Sequence, residues 1–88
     1  MIVGVLTVDL EIPNAYSLKD KRAVLNRLRD RVRQKFNVAV AEVDCNDVWN
    51  QAVVAIVTVS NQKKYANQVL SKVTDFLEIL PDCLVEDM

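Results

Sequence analysis

The chain contains no histidine, a single glycine, two prolines, two cysteines and few aromatic residues. Each scarcity removes a class of chemistry. Without histidine there is no imidazole base or nucleophile-activating pair, and a Cys/His zinc site has no nitrogen ligand. Cys45 and Cys83 have no CxxC spacing, so both read as reduced packing residues. One glycine cannot build a phosphate-cradling loop, and no G-x-S-x-G or activated-cysteine context occurs. We therefore expect no catalytic residue, no metal and no cofactor. The longest apolar stretches, Met1 to Leu10 and Val53 to Val59, are too short and interrupted to span a bilayer. The N-terminus has no basic leader before its apolar run, so the default expectation is a cytoplasmic protein with no membrane segment.

What remains is 88 residues, 51% of them hydrophobic and 26% charged, which suits one globular domain over residues 1–88. So little Gly and Pro predicts a chain almost entirely helical or extended. From Ile2 to Ile12 every even position except Gly4 is apolar, and the odd positions turn polar towards Asp9 and Glu11; this period of two predicts a first strand. Pro13 and Asn14 end it, and Ser17 with Asp20 three residues on resembles a capping box. Val24, Leu25, Leu28, Val32 and Phe36 then form one helical stripe, stopping near Asn37. Val38 to Cys45 and Trp49 to Val59 read as a hairpin about Asn46 and Asp47. Ser60 is a candidate cap for a second helix with a stripe running from Tyr65 to Leu80, before Pro81, Asp82 and a short last strand.

The order β-α-β-β-α-β predicts an α+β fold, a ferredoxin-like sandwich with two helices on one face of a four-stranded sheet. By analogy with that fold the strand order is 4-1-3-2, with strands one and three taken as central and parallel. A tight hairpin sets Asp44 opposite Trp49 and Val40 opposite Val53. Ala39, Ala41, Val43, Ala52, Val54 and Ile56 then lie under the helices. The opposite face is left apolar, so Val40, Trp49, Val53 and Val57 are candidate interface residues for a homodimer. The carboxylate pairs Asp9/Glu11 and Glu42/Asp44 share that open face but are expected at opposite ends of it, too far apart for a joint site.

The segments SLKDKR (Ser17 to Arg22), FNVAVAEVD (Phe36 to Asp44), Trp49 and VSN (Val59 to Asn61) together resemble the YlxP-like family of small uncharacterised bacterial proteins. The likeness spans essentially the whole chain. It implies a ferredoxin-like fold and no activity, and it supplies no catalytic residue. The genes of such proteins often lie among translation and ribosome-maturation genes, which implies an RNA-related role.

Charge is unevenly distributed. Lys19 to Lys35 holds eight cations against two acids, net +6, while the rest of the chain, three cations against ten acids, nets −7. Such asymmetry bears on partners and not on fold. On a helical wheel Lys19, Arg22, Asn26, Arg29 and Arg33 fall on one side and Arg27, Arg31 and Lys35 on the other. Lys19, Lys21, Arg22, Arg29 and Arg33 are thus the candidate anion- or RNA-binding residues; the bland alternative is a solvated helix face. Three functions are open: a nonenzymatic module contacting RNA or the ribosome, a homodimeric assembly or regulatory protein that binds an acidic protein partner, and a small anion-binding hydrolase at the first helix N-terminus. Asn14, Ala15 and Tyr16 fill the place where an acylphosphatase-type anion loop would need glycine, which weakens the last.

Overall fold

A computed structural model describes residues 1–87. Its elements are β1 (Ile2–Glu11), α1 (Leu18–Lys35), β2 (Ala39–Asp44), β3 (Gln51–Ser60), α2 (Lys63–Glu78) and β4 (Leu84–Asp87). They form a ferredoxin-like sandwich: one four-stranded sheet in the order β2-β3-β1-β4 with both helices on one face. The strand order agrees with the sequence reading, but the direction of the central pair does not. β1 and β3 are antiparallel along their whole length, from Ile2 opposite Ser60 to Glu11 opposite Gln51. The reason is topological. The crossover through α1 makes β1 and β2 parallel while leaving a vacant place between them, and β3 returns into that place from a hairpin, running against both.

The period of two in β1 buries Val8, Leu10 and Ile12 beneath the helices and turns Val3 and Val5 outward. β3 repeats the pattern with Ala52, Val54, Ile56 and Thr58 inward. α1 starts with a variant of the capping box: Ser17 Oγ accepts from the Asp20 amide at 3.1 Å, while Asp20 Oδ2 accepts at 3.2 Å from the amide of Tyr16, one residue before the cap. The helix ends at Phe36, whose amide donates to the Val32 carbonyl at 2.8 Å. Thr58 Oγ1 donates to the Asn37 carbonyl at 3.2 Å and pins that exit to the sheet. The N-cap position of α2 falls on Gln62, whose side chain makes no capping hydrogen bond; Ser60 Oγ accepts from the Gln62 amide just outside the helix.

The hairpin departs most from expectation. Asn46 and Asp47 lack the glycine a two-residue primed turn prefers, and the connection takes six residues, Cys45 to Asn50. Cys45 adopts a left-handed φ of 60°, and its carbonyl accepts from the Val48 amide at 3.0 Å. Glu42 therefore faces Val54, Ala41 faces Ala55 and Val40 faces Ile56, with a bulge between Glu42 and Asp44. A slip of one residue exchanges the two faces of a strand. Val40 and Glu42 accordingly point towards the helix side, while Ala39, Ala41 and Val43 are exposed. Val40 is thus removed from the proposed interface set. Trp49 lies in the connection, not in a strand, and is half exposed. Val53 and Val57 do lie on the open face.

Gly4, the exception in the β1 pattern, sits where α2 comes closest. A Cβ there would lie 3.0 Å from Leu70 Cδ1 and 3.3 Å from Thr58 Cγ2. A single methyl can be accommodated by rotation of Leu70, whereas a branched side chain forces α2 off the sheet. We expect Gly4→Val to lower the unfolding free energy by about 1–3 kcal/mol in urea titration, and Gly4→Ala to cost markedly less.

Candidate nucleic-acid interface

The first turn of α1 holds an unusual lysine. Lys21 is 1% exposed, and its Nζ lies 2.7 Å from Glu42 Oε2, 2.8 Å from the Cys45 carbonyl and 3.2 Å from the Gln51 carbonyl. A fourth oxygen, of Asn46, stands at 3.5 Å. The ammonium thus ties the start of α1 to β2, to the connection after it and to the start of β3. With all three protons engaged inside the protein, Lys21 is withdrawn from the set of cations open to an external anion. The flipped face of β2 is what delivers Glu42 to it. A signal was present in the sequence: Lys21 lies one turn before Leu25, Leu28 and Val32, on the buried stripe itself.

The other cations of α1 stay outside. Lys19, Arg22, Arg31 and Arg33 are exposed and form no salt bridge among the described residues. Arg27 reaches Asp82 Oδ2 at 3.5 Å, and Arg29 Nε stands 3.7 Å from Asp30 Oδ1. All four side chains in these two pairs are about half exposed, so each attraction is weak and screened by solvent. Lys35 Nζ sits 4.9 Å from the centre of the Phe76 ring. The wheel had divided these cations into two stripes, and the fold keeps them apart. Arg22, Asn26 and Arg29 lean towards the edge strand β2, and Arg27 and Arg31 towards Asp82 and Cys83.

Between α1 and β2 runs a groove of about 130 Å³, floored by Leu25, Leu28, Val40 and Val54 and walled by Arg22, Asn26, Arg29 and Glu42. Arg29 lines it, and Arg29 Nε is buried with no hydrogen-bond partner, the carboxylate oxygen Asp30 Oδ1 standing 3.7 Å away. The Asp30 charge offsets part of the cost of leaving that donor unbonded, and an acceptor at hydrogen-bond distance would satisfy it fully. Sequence reasoning placed Arg22 and Arg29 on one stripe but missed the groove, because its second wall exists only once β2 has turned over.

Acidic groups gather on the open side of the sheet. β1 and β2 are parallel, so Asp9 and Asp44 both stand level with Val53, and Asp9/Glu11 lie at the same end as Asp44 instead of the opposite one. Glu42 has left that surface, while Glu86 of β4 joins it. Desolvation, a carboxyl hydrogen bond with Glu11 and the charges of Glu11 and Asp9 hold the Glu86 carboxyl above its ordinary pKa. Among the described residues no group of three or more His, Cys, Asp or Glu is arranged to hold a metal ion. Burial, with Asp82 nearby, pushes the Cys83 thiol up, away from the reactive thiolate. No helix of the described residues is long and apolar enough to cross a membrane.

Removing the lysine leaves Glu42 without its counter-ion and several carbonyls without a donor. We expect Lys21→Ala to destabilise by about 3 kcal/mol in urea unfolding. The double variant Lys21→Met with Glu42→Leu should regain at least half of that loss, because no unpaired charge remains.

The chain matches, over residues 3–88, the family described as "Protein of unknown function (DUF503)". It is also 35% identical over 81 residues to the uncharacterized protein YlxP of Bacillus subtilis (strain 168), an alignment covering 92% of this chain and 88% of that protein. Both likenesses run through the basic helix, the capping box and the bulged edge strand, and the chain belongs to the DUF503 family of proteins of unknown function.

Proposed function

We propose that this protein is a nonenzymatic binding module, one domain working in the cytoplasm, whose α1 lays its exposed cations against RNA or a ribosomal surface. The observation that carries the reading is the run of Lys19, Arg22, Arg29 and Arg33 along one side of α1, with Arg31 exposed on the other flank and Lys19, Arg22, Arg31 and Arg33 free of internal carboxylates among the described residues. Successive turns of a helix space these groups about 5 Å apart, a spacing that suits neighbouring phosphates. Arginine adds bidentate hydrogen bonding to phosphate oxygens. The acidic end of the open sheet, with Asp9, Glu11, Asp44 and Glu86, repels phosphate and leaves the helix side as the face of approach. Base stacking on the sheet itself is disfavoured too, since no aromatic residue lies in any strand.

The test is salt dependence. Wild-type protein should bind a single-stranded RNA oligonucleotide at low ionic strength, with affinity falling steeply as salt rises. Arg22→Ala, Arg29→Ala and Arg33→Ala together should flatten the logarithmic slope by about 2, as expected for three lost phosphate contacts. An unchanged slope, or no binding at low salt, rejects the reading.

A second reading is favoured by the open sheet face, where Val3, Val5 and Val59 are each more than half exposed beside Val53 and Val57. Such a patch suits a second copy of the chain packed sheet to sheet. Sedimentation at micromolar concentration should then give a dimer that Val53→Asp dissociates, while a monomer at every concentration eliminates it.

A further inference from the structure

Building on the RNA reading above, we infer that the groove between α1 and β2 is a subsite for one unstacked nucleotide of a single-stranded RNA. Three features of the groove point to that ligand. Its floor of Leu25, Leu28, Val40 and Val54 is apolar, as a planar base requires. Its rim presents Arg22 and Arg29, and the Arg29 Nε–H, 3.7 Å from Asp30 Oδ1, makes no hydrogen bond within the protein, so a small turn of the guanidinium offers it to a phosphate or base oxygen. Its walls also carry groups of both hydrogen-bonding kinds. Asn26 donates and accepts; Glu42 gives one oxygen, Oε2, to Lys21, and its Oε1 accepts no hydrogen bond among the described residues. Lys21 thereby fixes the Glu42 carboxylate in the wall with one acceptor to spare.

The volume of about 130 Å³ is several times what one water needs, and it lies in a narrow cleft beside a helix. A duplex, whose bases are stacked and paired, cannot place a base there; a single strand can splay one out. The same features disfavour an acidic peptide strand added to the β2 edge. Such a strand would bring its carboxylates against Glu42 and Asp44 of β2, whereas a nucleotide keeps its charge on the phosphate, at the arginine rim.

Two measurements on the full-length protein test the subsite. First, fluorescence anisotropy compares a mixed-sequence single-stranded decanucleotide RNA with a duplex of the same sequence. The wild type should favour the single strand at least tenfold. Arg22→Ala with Arg29→Ala, or Asn26→Ile alone, should reduce that preference to twofold or less. The pair Lys19→Ala with Arg31→Ala, outside the groove, should weaken both ligands alike and leave the preference intact. Second, the Arg29 Nε–H resonance should move on titration with the single strand and stay put with the duplex.

RNA binding without strand preference and with a stationary Arg29 resonance overturns the subsite and leaves α1 as an RNA-binding face. Absence of binding to either RNA overturns both readings. Displacement of the bound single strand by a polyglutamate peptide, with the same movement of the Arg29 resonance, would assign the groove to an acidic protein segment and also overturn the subsite. A free nucleoside monophosphate that moves the resonance as fully as the oligonucleotide, at equal concentration, would assign the groove to a soluble nucleotide and not to RNA.

Discussion

A single buried ammonium group organises the side of this molecule built from α1, β2 and the start of β3. Lys21 reaches from the first turn of α1 into a nest of oxygens belonging to β2, the connection after it and the first residue of β3. A lysine removed from water is tolerated only where oxygen acceptors replace its hydration, and here one carboxylate and the backbone carbonyls do so. The consequence is geometric as well as energetic. The amino end of α1 cannot swing away from the edge strand without exposing an unpaired charge, so the separation of helix and strand is set, and with it the width of the groove they enclose.

The all-antiparallel arrangement then distributes charge. β1 and β2 run the same way on either side of β3, and β4 ends beside β1, so Asp9, Glu11, Asp44 and Glu86 collect at one end of the open sheet. Desolvation holds the Glu86 carboxyl above its ordinary pKa, with a hydrogen bond with Glu11 and the charges of Glu11 and Asp9 adding to the rise. The arginines of α1 occupy the opposite layer. A chain whose formal charge is only −1 thus presents a cationic side and an anionic side, and an approaching polyanion is oriented before any specific contact forms.

The groove and the helix surface have different physical characters, although they share arginines. Along the exposed surface the proposed attraction to RNA would be long-ranged, salt-sensitive and indifferent to sequence. Inside the groove the proposed contact would be short-ranged and directional, combining an apolar floor with the Arg29 guanidinium and a carboxylate oxygen. Electrostatic capture on a helix followed by local recognition beside it would require no catalytic group.

Much of this architecture was legible in the residues alone. The alternation in β1, the stripe of α1 and the Ser17/Asp20 capping residues are local patterns found in the fold, and the strand order, taken by analogy with a ferredoxin-like sandwich, agrees with it. The concentration of cations between Lys19 and Lys35 is likewise a property of the chain. The face of β2, by contrast, was decided by tertiary structure. Its residues, AVAEVD, are apolar at both parities, so periodicity alone cannot orient it; the six-residue connection and the bulge set its register, and the bond from Lys21 to Glu42 secures it. The same choice buried Lys21, removed Val40 from the open face, and formed the groove. A sequence specifies which groups are present and how they repeat along one element, whereas a site made from two elements depends on their relative register, which only packing can determine.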